Sequence, residues 1–305
     1  MYEKILVPLD GSEIAERSLP YAEELAGRLS SEIHVVTVEE YNMNQAHAHK
    51  PGSHLKGKAE TIERNTQKYL SELLVKSDGV KTVVLIGHAA EGIVAHADKE
   101  DIDLIVMSTH GRTGIKRWAL GSVADKTVRA TRRPVMLIRA TGAHPDVHEK
   151  STFRRVLVPL DGSEESEVIV PYVKELGSKL EAEIILFQAV ERAKHTYATD
   201  NMVVTHLPYS DEEMEPFKAD AESYLNQVGN LLKGDGINLR SKVGIGEAAE
   251  WIIEYADEID ADLVAMATHG RSGISRWTLG SVASKVLHAG NTPLMLLRAS
   301  ENPVE

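Results

Sequence analysis

The sequence predicts two tandem α/β domains, each a doubly wound, five-stranded parallel sheet with helices on both faces. Three observations carry that expectation. The chain repeats itself: KILVPLDGSE at 4–13 returns as RVLVPLDGSE at 155–164, and STHGRTGIKRWALGS at 108–122 returns as ATHGRSGISRWTLGS at 267–281. Within each copy, short apolar runs alternate with longer amphipathic ones, the pattern of βαβ units and hence of a parallel sheet. The 305 residues also allow two domains of about 150 residues, each able to bury its own core.

In the first copy, KILVPL (4–9) is a branched apolar run suited to a strand buried on both faces. The segment 12–29 carries Ile14, Leu19, Ala22, Leu25, Ala26 and Leu29 at helical spacing, with Ser12 placed to cap its start. EIHVVTV (32–38) is the next strand, and 59–77 an amphipathic helix with Ile62, Tyr69, Leu70, Leu73 and Leu74 on its apolar side. Strands follow at 82–86, 103–108 and 134–139, joined by helices at 90–99 and 122–131. The offset between copies grows from 151 at the first motif to 155 at Tyr69/Tyr224 and 159 at Gly87/Gly246, so longer loops are expected in the middle of the second copy. Domain 1 is read as 1–141 and domain 2 as 152–305; the polar segment between them, 142–151, is the linker.

Acidic side chains outnumber basic ones by 46 to 34, a formal net charge of −12, which argues against a nucleic-acid partner. Cysteine is absent, which removes disulfides, thiol chemistry and Cys-based zinc sites. The first residues lack the basic-then-apolar order of a signal peptide, and no apolar run approaches the ~18 residues of a membrane span. A cytoplasmic protein with no membrane partner is expected.

In a sheet of this type a crevice opens at the carboxyl ends of strands 1 and 4, where the strand order reverses, and the two repeated motifs leave those strands. Gly111, Gly121 and Ser122, with Gly270, Gly280 and Ser281, suggest a phosphate-binding turn: glycine allows close backbone approach and positive φ. Ser122 is expected at the N-cap of the last helix. The amides of Ser122, Val123 and Ala124, and of Ser281, Val282 and Ala283, would face an anion. Asp10 and Asp161 serve either ribose or adenine donors or the capping of the following helix. His110 and His269 either contact phosphate or ribose or lock the loop by hydrogen bonding.

VPLDGSE early, THGR after strand 4 and LGSVA opening the last helix together resemble the universal stress proteins, over nearly the whole chain and twice over, as in tandem members. The resemblance implies strand order 3-2-1-4-5 and an ATP cofactor, alone or with Mg2+. The family's signature, glycine, two residues, glycine, nine residues, glycine and Ser or Thr, maps its later positions onto Gly111, Gly121 and Ser122 and onto Gly270, Gly280 and Ser281. Ser108 and Ala267 stand where its first glycine would. The nucleoside-contacting aspartate maps onto Asp10 and Asp161, and the adenine-contacting strand end onto Val38 and Ala189. The two units are expected to pack as a pseudo-symmetric pair; the resemblance implies pairing through apolar edge strands such as 134–139 and 293–298, a further association of chains into a homo-oligomer (dimer), and a stress-response role.

Other chemistries fit less well. There is no GxxxxGK[ST] motif. GIGEAA (244–249) fits GxGxxA, but its counterpart LIGHAA (85–90) lacks the first glycine, and Asp262 would begin a strand instead of ending one. Asp10, His110 and Ser122 lack the GxSxG elbow of a hydrolase, so no catalytic residue is assigned and a slow ATPase is the weakest reading. The histidines of HAHKPGSH (47–54) lack a neighbouring carboxylate and a second copy, so no metal is expected. Trp118 and Trp277 are read as packed anchors. A scaffold of the same fold, binding unidentified proteins and no nucleotide, is the main alternative.

Overall fold

The structure, a computed structural model, describes residues 1–40, 64–71, 73, 79–110, 120–139, 153–198, 204–234, 236–270 and 279–299. The chain divides into two compact units, Met1–Thr152 and Phe153–Glu305. The proposed linker, 142–151, and the histidine-rich segment, 47–54, lie outside the described residues. Among those residues no helix is long and apolar enough to cross a membrane.

The first unit contains β1 (Lys4–Pro8), β2 (Glu32–Glu39), β3 (Lys81–Ile86), β4 (Leu104–Ser108) and β5 (Val135–Ile138). All pair in parallel, β3 with β2, β2 with β1, β1 with β4 and β4 with β5, which is the order 3-2-1-4-5. Ile5, Leu6, Val7, Leu104, Ile105 and Val106 are fully buried, as a central strand covered on both faces requires. The helices are α1 (Glu13–Glu16), α2 (Leu19–Leu29), α3 (64–71), α4 (Ala89–Lys99) and α5 (Ser122–Ala130). Asp103 anchors the start of β1, its Oδ2 accepting the amides of Glu3 and Lys4 at 2.7 and 3.1 Å.

The segment 12–29, expected as one helix, is two. Pro20 lies in the first turn of α2; it has no N–H to donate, and its ring would collide with the Glu16 carbonyl in a continuous helix. The Ser18 hydroxyl closes the break by donating to Ala15 O at 2.7 Å. Pro171 imposes the same break between α6 (Glu164–Glu167) and α7 (Val170–Leu180).

The second unit repeats the order with β6 (Arg155–Pro159), β7 (Glu183–Val190), β10 (Asn238–Ile245), β11 (Leu263–Ala267) and β12 (Leu294–Leu297): β10 pairs with β7, β7 with β6, β6 with β11 and β11 with β12. Where longer loops were expected, it holds an antiparallel hairpin, β8 (Lys194–Ala198) and β9 (Val204–Pro208). Arg192 fixes the hairpin base, donating to Tyr209 O and Asp211 Oδ1 at 2.7 Å each. A capping box of Ser210 and Glu213 then starts α8 (Asp211–Leu232), and α9 (Ala248–Glu258) and α10 (Ser281–Ala289) complete the unit. Asp262 accepts the Arg154 and Arg155 amides at 2.9 Å each, so it anchors the amino end of β6, remote from any dinucleotide.

Candidate functional site: the crevice between strands 1 and 4

In each unit the chain leaves the first strand in the sequence Asp-Gly-Ser. Gly11 and Gly162 have φ of 78° and 83°, a left-handed turn that glycine accepts without strain. The turn lets Asp10 Oδ1 accept from the Ser12 amide and hydroxyl at 3.0 and 2.6 Å, and Asp161 Oδ1 from those of Ser163 at 3.0 and 2.5 Å. Ser12 and Ser163 in turn cap α1 and α6. The aspartates therefore hold the caps without being the caps. The short helices behind them are braced by a repeated contact: Tyr69 donates to Glu16 at 2.6 Å, and Tyr224 to Glu167 at 3.0 Å.

The last helix of each unit starts one residue earlier than expected. Gly121 and Gly280 are the N-caps, and Ser122 and Ser281 are the first helical residues. Nor do these glycines supply positive φ, since their φ values are −61° and −58°. They are needed because the backbone runs against the end of the fourth strand: a Cβ would stand 3.0 Å from Thr109 O at Gly121 and 2.7 Å from Thr268 O at Gly280. The same carbonyls accept the Gly121 and Gly280 amides at 2.8 and 2.9 Å. No side chain caps either helix, so the first-turn amides of Ser122, Val123 and Ala124, and of Ser281, Val282 and Ala283, have no partner within the helix.

In the second unit a crevice of about 180 Å3 is lined by every position singled out there: Asp161, Ala189, Ala267, His269, Gly270, Gly280, Ser281, Val282 and Ala283. A Cβ on Gly270 would fall on Asp161 Oδ2 and 2.8 Å from its Cγ, so this glycine makes room for the carboxylate. His269 Nδ1 lies 3.0 Å from Thr268 Oγ1, while its Nε2 is buried with no partner among the described residues. Sequence reasoning missed Ser166, Phe187, Ala248 and Ile252, which also line the crevice. Strand alternation could have found Phe187, two residues from Ala189 on β7 and so on the same face.

The matching positions of the first unit among the described residues are Asp10, Val38, Ser108, His110, Gly121, Ser122, Val123 and Ala124; Gly111 lies outside them, as do Trp118 and Trp277. His110 Nδ1 lies 3.1 Å from Thr109 Oγ1, the same histidine–threonine contact that His269 makes with Thr268. Ser108 is buried, and its Oγ accepts the His110 amide at 3.4 Å.

The packing beside Val38 and Ala189 differs between the units by a compensated exchange of volume. In the first unit both Val38 methyls lie 3.3 Å, and Leu85 Cδ1 3.7 Å, from where a Cβ of Gly92 on α4 would be. In the second, Trp251 takes the place of Gly92, and Ala189 and Gly244 those of Val38 and Leu85. A Cβ on Gly244 or Gly246 would come within 2.8 Å of the Trp251 ring, whose Nε1 donates to Ile245 O at 3.0 Å. The GIGEAA glycines thus seat an indole. Lys285 on α10 donates to Glu247, the N-cap of α9, at 2.9 Å; His88 and Lys126 stand at the matching positions in the first unit.

Comparison with known proteins agrees with this architecture. The model of the family described as "Universal stress protein family" matches residues 1–139 and again 152–298. A universal stress protein of Methanocaldococcus jannaschii is 31% identical over 147 residues, 46% of this chain and 83% of its own. One from Synechocystis sp. is 23% identical over 317 residues, covering 97% of this chain and 100% of its own. The crystal structure of a universal stress protein from Archaeoglobus fulgidus superimposes with a TM-score of 0.72 at 20% identity, covering 98% of this chain and 100% of that one. Two matches of one family model, in tandem and on the same fold, leave one conclusion: this chain is a two-domain member of the universal stress protein family.

Proposed function

We propose that the protein is a stress-response regulator that binds an adenine nucleotide, ATP alone or with Mg2+, in the strand 1/strand 4 crevice of its units. The observation that carries this reading is the uncapped start of α10 at the crevice wall. Such a helix end presents unpaired amides and a positive dipole end to an anion. The other linings fit the rest of a nucleotide. Asp161 and Asp10 suit hydroxyl or amine donors, Phe187 and Ile252 are apolar walls, and the buried His269 Nε2 can donate to or accept from a polar ligand atom.

The first unit is expected to bind several-fold more tightly. Its Lys126 is exposed without an acidic partner at position 88, whereas Lys285 is engaged by Glu247; one such charge at a partly exposed site is worth ~1 kcal/mol. Native mass spectrometry of the gently purified full chain, followed by calorimetric titration with ATP and magnesium, tests the proposal. Co-purified nucleotide or saturable binding supports it. Absence of both at millimolar ATP would leave the family scaffold, acting through protein contacts, as the better reading.

A further inference from the structure

Away from the crevice, at the amino end of β2, the first unit buries two imidazoles against each other. His34 on β2 and His96 in the last turn of α4 are 1% and 6% exposed. His34 Nδ1 lies 3.5 Å from His96 Nε2, and the ring planes are tilted by 55°. Glu32 Oε1 is 3.1 Å from the other His34 nitrogen. The second unit has Ile185 and Tyr255 at the same places on β7 and α9, so the fold itself does not require histidine there.

Two neutral rings suit this contact, one N–H facing one lone pair. A single added proton already puts a cation in a nearly dry site, offset only in part by Glu32. A second is worse, because both facing nitrogens then carry hydrogens and two cations share that site. We propose that the His34–His96 pair makes the first unit responsive to acid: proton uptake drives the rings apart and loosens α4 from β2, while the second unit is indifferent.

The charged groups that face the pair come from each neighbouring element. They are Glu32 on β2, Lys81 on β3 and Lys99 and Glu100 at the end of α4; Lys4 on β1 reaches the same corner by donating to Glu100 O at 2.7 Å. Glu100 is already engaged by Lys81 at 2.8 Å. Burial, the largest influence, pushes both imidazoles below their ordinary range, and His34 adds to the effect on His96. The folded state therefore binds fewer protons than the unfolded chain once the pH falls below about 6.5. The stability is present above that value and is lost as the pH drops toward the lowered folded values.

The test is hydrogen exchange of the full chain at about pH 7.5 and about pH 5.5, on either side of the free histidine value, corrected for intrinsic exchange. Protection over 32–39 and 89–99 should fall about tenfold, the factor by which one free imidazole favours its protonated form about one pH unit below 6.5; protection over 183–190 and 248–258 should hold. The His34→Ile, His96→Tyr variant, which carries the second unit's residues, should lose the fall. Because that variant could misfold, the imidazole resonances of the wild-type chain supply a second reading, with both rings titrating below about 6.5. An equal fall in both units, a fall that persists in the folded variant, or ordinary titration of both rings would overturn the proposal.

Discussion

Gly280→Ala separates close packing from backbone freedom as the reason for glycine at the helix start. The native φ of −58° and ψ of 154° are open to alanine, so the backbone conformation itself costs nothing. The obstacle is Thr268 O, 2.7 Å from where the methyl would sit. The near limit for a carbon–oxygen contact is about 3.3 Å, so one side must yield by roughly half an ångström. Neither side is free to do so: Thr268 O holds the Gly280 amide at 2.9 Å, and the Thr268 amide is itself held by Leu297 O at 2.8 Å. Inserting a carbon into such a contact costs ~1–3 kcal/mol, and alanine is also a poorer N-cap than glycine. Gly121→Ala, with 3.0 Å to Thr109 O, should fall near ~1 kcal/mol, the bottom of that range. Denaturant unfolding of the full-length variants reads the stability, and calorimetry with ATP reads the site. Displaced first-turn amides in the second unit should weaken nucleotide binding there by about tenfold, or ~1.4 kcal/mol. Wild-type unfolding and wild-type ATP affinity in Gly280→Ala, or a larger effect from Gly121→Ala, would refute the packing argument.

Gly270→Ala should displace the Asp161 carboxylate, on which its methyl would fall, and weaken nucleotide binding about as much as Asp161→Ala while circular dichroism remains native. Trp251→Ala should destabilise the second unit by ~3 kcal/mol in denaturant unfolding, because it empties the seat over Gly244 and Gly246 and removes the bond to Ile245 O. Glu32→Gln removes a carboxylate that raises the His34 pKa. The folded value then falls further below that of the unfolded chain, so unfolding midpoints between about pH 6.5 and about pH 5 should drop more steeply than in the wild type; a shallower drop would show that the sign is wrong.

What the sequence disclosed, and what it concealed, follows from the range of the interactions concerned. The strands were legible because runs such as Ile5–Val7 and Leu104–Val106 are apolar without interruption, and the duplication because its motifs recur with few changes, LVPLDGSE being identical in both copies. The position of the crevice followed from those two facts together. The helix start was misplaced by one residue because Gly121-Ser122 presents two acceptable caps, and the choice is made by Thr109 O, twelve residues back along the chain. Gly121 and Gly280 read from the sequence as places of close approach to a phosphate or of positive φ, because a missing side chain does not show what occupies its place. The break before α2 was signalled by Pro20 but hidden under an unbroken apolar period. His34 and His96 lie 62 positions apart, and no local pattern joins them.

The volume exchange around Gly92 and Trp251 constrains how the two halves of this protein can change. Neither half accepts the other's residue alone: an indole at 92 would drive into Val38 and Leu85, and a glycine at 251 would leave a hole above Gly244 and Gly246. Gene conversion between the halves, or a laboratory chimera that moves only the α9 segment into the first half, therefore passes through a misfit. The swap becomes neutral only when the ends of two neighbouring strands travel with the helix. That requirement is a barrier to homogenisation, and it lets two copies of one ancestral unit keep different packing beside the second strand of each sheet.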